Sequence, residues 1–596
     1  MDCNIIGNRM ERLREVMRRE SIDAFIFPST DPHNGEYVPD HWKGREFISG
    51  FNGSAGTAVV TLDDAALWTD SRYFIAATEQ LEGTGFELMK LKIEGTPTIA
   101  EWLGRKLAAK SGAVVGIDGM VSSVNMVEGL IDELRQQGGI NVRTNLDPLE
   151  TVWTDRPAIP ADMVELHPLK YAGETAESKL KRVRQALRQQ HAAGLLVSAL
   201  DDIAWLLNMR GTDVHCNPVF VSYLLVEEEK VTLFVNKRKL SDSVADYLAA
   251  IGAEVDEYEN VAKALKAYKG YNILMDPAET SYTLYKVYGD RPKVLAKSPI
   301  PAMKAVKNEV EIEGYRSAMV KDGVALVKFL RWLKPAVEKG GVTEISADEK
   351  LTSLRAQQPL FRDISFDTIA GYGEHGAIVH YEATPETDVE LKPEGFLLLD
   401  SGAQYLDGTT DITRTIALGP VSEEQKHVYT LVLKGHIDLS MCKFPANASG
   451  TQLDILARQA MWREGLNYLH GTGHGVGSYL NVHEGPHQFR MEYMPAPLKA
   501  GMTVTNEPGL YLAGKFGVRT ENTMLITEYM ESEFGRFLQL EPLTLCPIET
   551  SSIEMGMLND EETAWLNGYH RLVFDRLSPL LDGEDLEWLE NACKPI

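Results

Sequence analysis

The sequence predicts a multidomain α/β and α+β protein, and three observations carry that prediction. Its 596 residues exceed what one hydrophobic core organises, so three or four domains are expected. A weak internal repeat relates residues 12–27 (RLREVMRRESIDAFIF) to residues 182–197 (RVRQALRQQHAAGLLV), 170 positions on. In each copy a basic amphipathic helix runs into an apolar strand. From about residue 304 onward the chain reads as one larger unit, in which strand-like runs meet glycine turns.

The elements follow in order. The start, MDCNIIGNRMERLREVMRRE, has no apolar core of the kind a signal peptide needs and reads as a charged helix. Strand-like runs at 57–61 and 66–69 follow the first repeat, and runs at 219–226 and 230–235 follow the second, which implies two similar α/β domains. The Pro-bearing stretch 147–160 marks the first boundary and Ser298-Pro299-Ile300-Pro301 the second. A helix is expected over 308–332. A tail from about residue 550, rich in Trp, Leu and acidic residues at helical spacing, reads as a packing or dimer element. The domains are therefore placed at residues 1–152, 153–303 and 304–596.

Composition excludes several classes. A hydrophobic fraction of 44% with 24% charged residues describes an ordinary folded protein. Subtracting 86 acidic from 60 basic residues gives a net charge of −26, which repels phosphate backbones and anionic membranes, so neither nucleic acid nor membrane is an expected partner. Five scattered cysteines without a CxxC suggest neither a disulfide framework nor a zinc ribbon. A reducing, cytoplasmic setting is expected, since no run reaches the roughly 18 apolar residues of a membrane span.

The chemistry concentrates in one region. Asp400, Asp411, His474, Glu507 and Glu521 can all hold metal, and each stands at the end of a strand-like run or beside a glycine turn. Four carboxylates converging on one spot carry about −4 and repel by roughly several kcal/mol per pair in a partly dry cleft, so they need counter-charge. Two divalent cations would supply it.

Residues 396–399 form an apolar run ending in Asp400; after Ser401-Gly402 the chain turns back through Asp407-Gly408 into Asp411-Ile412-Thr413-Arg414-Thr415, a hairpin carrying two aspartates. A two-residue turn at Asp407-Gly408 would set Asp411 opposite Gln404, about four positions (~13 Å) from Asp400. The turn is therefore expected to be displaced or bulged, with Gly402 and Gly408 permitting it.

The block His470-Gly471-Thr472-Gly473-His474-Gly475-Val476-Gly477 lets backbone approach a ligand closely. It is not a dinucleotide loop, because Val476 stands where that spacing wants a third glycine. His483 follows within a few residues. Glu507 precedes Pro508-Gly509 at a strand end, and Arg519 and Glu521 would share one face of a strand. There Arg519 could orient a metal-bound carboxylate or bind a substrate carbonyl. Carboxylates and an imidazole without thiolate suit Mn²⁺, Co²⁺, Fe²⁺ or Zn²⁺, with manganese the first choice. Two such ions about 3.5–4 Å apart would share a bridging water, lower its pKa and polarise a carbonyl, which is metal-assisted hydrolysis.

These segments resemble the pita-bread metallopeptidases, the family of methionine aminopeptidase, prolidase, creatinase and aminopeptidase P. The pattern lies in Gly376-Ala377-Ile378-Val379-His380-Tyr381, in Asp400-Ser401-Gly402 with Asp407-Gly408-Thr409-Thr410-Asp411, in the His470 block with Val482-His483-Glu484-Gly485-Pro486, and in Asn506-Glu507-Pro508-Gly509 and Arg519-Thr520-Glu521-Asn522. Near the start, Phe51-Asn52-Gly53-Ser54-Ala55-Gly56-Thr57 and Trp68-Thr69-Asp70-Ser71-Arg72-Tyr73 fit the same family's first domain, and the nearest group is the long, three-domain cytosolic Xaa-Pro aminopeptidases.

The resemblance implies two creatinase-like α/β domains followed by a pita-bread catalytic domain with a curved antiparallel sheet. It implies that Asp400 and Asp411 bind a first ion, that Asp411 and Glu521 bridge both, and that His474 and Glu507 complete the second. Glu507 would also shuttle the proton from a bridging hydroxide to the leaving proline nitrogen. His380 and His483 would hold substrate and stabilise the oxyanion. His470, Arg519 and Tyr511 would shape the proline side of the pocket or support the ligands. The implied cofactors are two divalent ions, Mn²⁺ first and Zn²⁺ or Co²⁺ next; the implied partners are peptides with proline at the second position and a second copy in a homodimer. A prolyl amide is tertiary and lacks an N–H, which calls for a dedicated pocket. Prolidase, which cleaves Xaa-Pro dipeptides, is the alternative within enzymes; a metal-free peptide-binding module is the alternative outside them.

Overall fold

The computed structural model describes residues 3–596, so Met1 and Asp2 of the expected N-terminal helix lie outside the described residues. The chain forms two compact units: residues up to Leu166 together with Thr175–Ile300, and His167–Glu174 together with Pro301–Ile596.

In the first unit the sequence repeat becomes a repeat of topology. Helix Cys3–Arg19 leads into strand Ala24–Pro28, and helix Ala176–Gln189 leads into Gly194–Val197. Each of these strands is buried along its length and lies inside a six-stranded sheet. The first sheet runs Glu87–Lys90, Ala65–Thr69, Thr57–Thr61, Ala24–Pro28, Val114–Ile117, Asn141–Arg143. The second runs Ala253–Asp256, Val231–Val235, Ser222–Glu227, Gly194–Val197, Ile273–Met275, Lys293–Leu295. Both pair the inner three strands antiparallel and the flanking ones parallel. The parallel neighbours need crossovers, supplied by helices such as Phe74–Gln80 and Asp242–Ala250. The run expected from residue 219 enters its strand only at Ser222, because Val219 and Val221 bond to Asp213 instead of a strand neighbour.

The longest helix of the second unit, Glu309–Lys339, is started by a capping box between Asn308 and Glu311. It runs seven residues past the expected end at Trp332, carrying Pro335 within it, and stops at Gly340. The strands of this unit are antiparallel throughout, in five ladders. Three carry the chemistry: Ile369–Tyr372 beside the hairpin Phe396–Ser401 and Ile412–Ala417; Gly473–Gly475 with Glu484–Phe489; and Thr503–Asn506 at the edge of the ladder containing Asn522–Ser532. The C-terminal tail is a packing element. From helix Asp560–Leu577, Leu566, Tyr569, Val573 and Leu577 are buried in one core with Val428, Leu431 and Val432 of helix Glu423–Ser440 and with Phe516 and Val518.

Among the described residues, Cys216, Cys442, Cys546 and Cys593 are free thiols, and no helix is long and apolar enough to cross a membrane.

Candidate metal centre

The hairpin resolves the spacing of the two aspartates. Tyr405 pairs with Gly408 and Gln404 with Thr409, so the turn is Leu406-Asp407, one residue earlier than a turn at Asp407-Gly408. Asp400 pairs with Thr413 and Ser401 with Ile412 in the same register, which continued by one residue sets Asp411 across from Gly402. The aspartates are then two positions apart on one face, a diagonal of roughly 7–8 Å between backbones. Gly402 is obligatory here, since a Cβ on it would lie 2.1 Å from both Ser365 Oγ and the Thr410 carbonyl oxygen.

Around this pair the other donors converge. Carboxylate oxygens of Asp411 and Glu521 and a ring nitrogen of His474 lie within 4.8 Å of one another. His474 Nε2 stands 3.4 Å from Asp411 Oδ2 and 3.5 Å from Glu507 Oε1. Its Nδ1 meets the Gly475 carbonyl at 2.9 Å; an oxygen can only accept, so Nδ1 carries a proton and Nε2 is the nitrogen turned to the carboxylates. Glu507 is tied to the glycine-rich segment by its backbone N–H, which donates to the Thr472 carbonyl at 2.8 Å.

Glu521 and Arg519 do not share one strand. Arg519 ends strand Phe516–Arg519, Asn522 begins the next, and Glu521 sits at the junction. Both nevertheless meet at Thr413, whose hydroxyl donates to Glu521 Oε2 at 2.8 Å and accepts from Arg519 Nε at 3.2 Å. Thr413 was not singled out from sequence; its place two residues after Asp411, on the same face of a strand, was the available signal.

Arg519 donates to Asp400 Oδ2 and, at 2.7 Å, to the Tyr511 hydroxyl. The Tyr511 hydroxyl stands 2.8 Å from His470 Nε2, and His470 Nδ1 donates to the Gly471 carbonyl. His483 stacks edge-on against His474 with ring centres 4.4 Å apart. His380 is half-buried and follows Val379, whose carbonyl accepts from Arg519 at 3.4 Å. His375, which had no role from sequence, pairs with the buried Glu344 at 2.9 Å and stacks on Tyr381, bracing the segment that carries His380.

The electrostatics are those of a buried acidic cluster. Burial, then the charges of Asp400 and Glu507, hold the Asp411 carboxyl well above the usual range. Burial and the neighbouring Asp411, Asp400 and Glu507 do the same to Glu521. Burial pushes Glu507 up to about 7 despite Arg519. Asp400 Oδ1 and Glu521 Oε1 are buried without any hydrogen-bond partner, although buried carboxylate oxygens are ordinarily satisfied. Orphaned hard oxygens beside an imidazole nitrogen fit divalent cations.

Models of the creatinase/prolidase N-terminal domain match residues 9–148 and 155–311, metallopeptidase family M24 matches 313–528, and the C-terminal region of peptidase M24 matches 536–596. A probable Xaa-Pro aminopeptidase P of Laccaria bicolor is 39% identical over 99% of this chain and 93% of its own. The crystal structure of X-prolyl aminopeptidase from Caenorhabditis elegans, described as a cytosolic enzyme with a di-nuclear active site, superposes with a TM-score of 0.95 at 35% identity, covering 99% of this chain and 100% of that one. An Xaa-Pro dipeptidase from Bacillus anthracis, 25% identical with a TM-score of 0.52, covers 63% of this chain and 99% of its own. Fold and site define a pita-bread metallopeptidase, a hydrolase. The chain belongs to metallopeptidase family M24 and, within it, to the Xaa-Pro aminopeptidases.

Proposed function

We propose that this chain removes the N-terminal residue from peptides whose second residue is proline, using two divalent ions, manganese first, held by Asp400, Asp411, His474, Glu507 and Glu521. In this reading Asp400 and Asp411 would hold one ion and His474 and Glu507 the other, with Asp411 and Glu521 shared by both. The observation that carries it is the convergence of the Asp411, His474 and Glu521 donors beside the orphaned oxygens of Asp400 and Glu521.

Divalent ions held there would supply counter-charge to the carboxylates and Lewis-acid activation of water and of the scissile carbonyl. The protein's own groups do the rest. Glu507, at the mouth of the cluster with its side chain 17% exposed, accepts the water's proton and returns it to the leaving proline nitrogen. His483 and His380 donate to the substrate carbonyl as it becomes an oxyanion. Arg519, fixed between Asp400 and Tyr511, holds the first carboxylate in orientation, and His470 with Tyr511 closes the proline side.

A cytoplasmic location and a homodimer belong to the same proposal. The prolidase alternative is disfavoured because the relatives that match nearly the whole chain, including the second α/β sheet and the C-terminal helices, are named Xaa-Pro aminopeptidases. The binding-module alternative is disfavoured by the presence of all five donors. Chelator-treated protein should lose activity and regain it on added Mn²⁺, and a Xaa-Pro-Xaa tripeptide should be cut in preference to the Xaa-Pro dipeptide. A metal-free protein that still bound peptides, or a strict dipeptide preference, would overturn the assignment.

A further inference from the structure

Arg414 is buried, 4% exposed, on strand Ile412–Ala417. Its neighbours Thr413 and Thr415 turn their hydroxyls toward Glu521 and Arg519. Side chains alternate along a strand, so Arg414 leaves from the opposite face, where Leu399, Ile416 and Cys546 pack. Its guanidinium is saturated. Nη1 donates to the carbonyls of Thr413 at 2.9 Å and of Glu521 at 2.6 Å. Nη2 donates to Asn522 Oδ1 at 2.9 Å, to the Cys546 carbonyl at 2.8 Å and to the Tyr569 hydroxyl at 3.0 Å, and Nε donates to the Pro547 carbonyl at 3.1 Å.

Three of these acceptors, Cys546, Pro547 and Tyr569, belong to the C-terminal region of residues 536–596. Tyr569 is itself fixed: its hydroxyl lies 2.9 Å from the Thr544 carbonyl and 3.0 Å from that of Cys546, and its ring stacks on Trp565 at 5.4 Å. Opposite, the Glu521 peptide is gripped at both ends, its N–H donating to the Thr413 carbonyl at 3.1 Å and its own carbonyl accepting from Arg414. A single planar group thus joins the peptide of a candidate metal ligand to the C-terminal helix. Only a guanidinium offers five donors in a fixed fork; an ammonium offers three.

We propose that Arg414 is a positioning residue through which the C-terminal region sets the Glu521 carboxylate, making that region a working part of the metal centre. The proposal rests on the metal-centre reading above. Groups that orient ligands typically change metal affinity or activity by about 10–100-fold when altered.

The test uses the full chain and three variants: Arg414→Lys, Tyr569→Phe, and Lys434→Met as a control. Lys434 also ties helix Asp560–Leu577 to helix Glu423–Ser440, through Glu562 at 2.7 Å, and takes no part in the site. Calorimetric titration of chelator-treated protein with Mn²⁺ gives stoichiometry and affinity; kinetics on a Xaa-Pro peptide give kcat and KM separately.

For Arg414→Lys the weaker of two Mn²⁺ sites should lose about tenfold or more in affinity, and kcat should fall by a similar factor with KM within about twofold. Raised Mn²⁺ should restore part of kcat. Tyr569→Phe, which keeps the other acceptors, should move the same way by about threefold, and Lys434→Met should leave Mn²⁺ affinity unchanged. Should Arg414→Lys fail to fold by near-UV circular dichroism, Tyr569→Phe against Lys434→Met decides. Wild-type affinity in both site variants, or an equal loss in Lys434→Met, would overturn the inference while leaving the metal centre intact; a wild-type chain that binds no Mn²⁺ would overturn both.

Discussion

Arg519 places two donors on the same oxygen of Asp400, Nη2 at 2.7 Å and Nε at 3.2 Å from Oδ2, and leaves Oδ1 buried without a partner. A guanidinium facing a lone carboxylate usually takes both oxygens. Here its Nη1 is drawn off to Tyr511, and one oxygen of Asp400 is kept open.

Replacing Arg519 with Lys should therefore free Asp400 to rotate. The expected outcome is a 10–100-fold fall in kcat with weakened binding of one metal ion, read by steady-state kinetics beside metal titration. Retention of wild-type values would show that Asp400 is oriented by other means.

The carboxylates also predict a pH response. Burial raises the Glu507 carboxyl from 4.5 to about 7 despite Arg519, so between those pH values the folded chain keeps a proton that the unfolded chain releases. Stability of chelator-treated protein should be fully present below pH 4.5 and decline as pH rises through about 7, by up to about 3 kcal/mol from this group. Urea unfolding at pH 5 and pH 8 measures it. Saturating Mn²⁺ should reverse the trend, because ions displace the proton and bind more weakly in acid.

Glu507→Gln removes the proton carrier while keeping an oxygen donor. The expected result is a fall in kcat of about 10²–10⁴-fold, with the protein still folded. Activity within tenfold of wild type would assign the proton transfer to another group.

At Gly402 the constraint is steric. Gly402→Ala drives a methyl into Ser365 Oγ and the Thr410 carbonyl and should cost about 1–3 kcal/mol or more, displacing Asp411 as it does so. Thermal denaturation together with metal content reads both effects; an unchanged melting temperature and full metal loading would contradict the hairpin register.

The parts legible in the sequence were those written in local pattern. Residues 12–27 and 182–197 announced two α/β sheets because helix period followed by an apolar run survives without tertiary context, and the sheets share one strand order. Asp411, His474 and Glu521 were legible because acidic and imidazole groups at strand ends stand out against apolar runs. The hairpin was half legible: the need for a displaced turn followed from spacing, whereas its place at Leu406-Asp407 depends on pairing and on the space around Gly402. Thr413 and Arg414 were not legible as site residues. In sequence they are an ordinary strand pair; their weight comes from Glu521 and Tyr569, 108 and 155 residues away. His375 stayed silent for the same reason, since its partner Glu344 lies 31 residues earlier.

The Nδ1 proton of His474 is held by a peptide oxygen, that of Gly475. Alanine scanning cannot see such a control, because every residue keeps its carbonyl, and a Cβ at Gly475 would collide with Glu484 and His487 before its effect on the imidazole could be read. The orientation of this ring is thus written in part into the backbone, and altering the main chain itself, for instance by weakening that acceptor through an ester for amide exchange, would tune it.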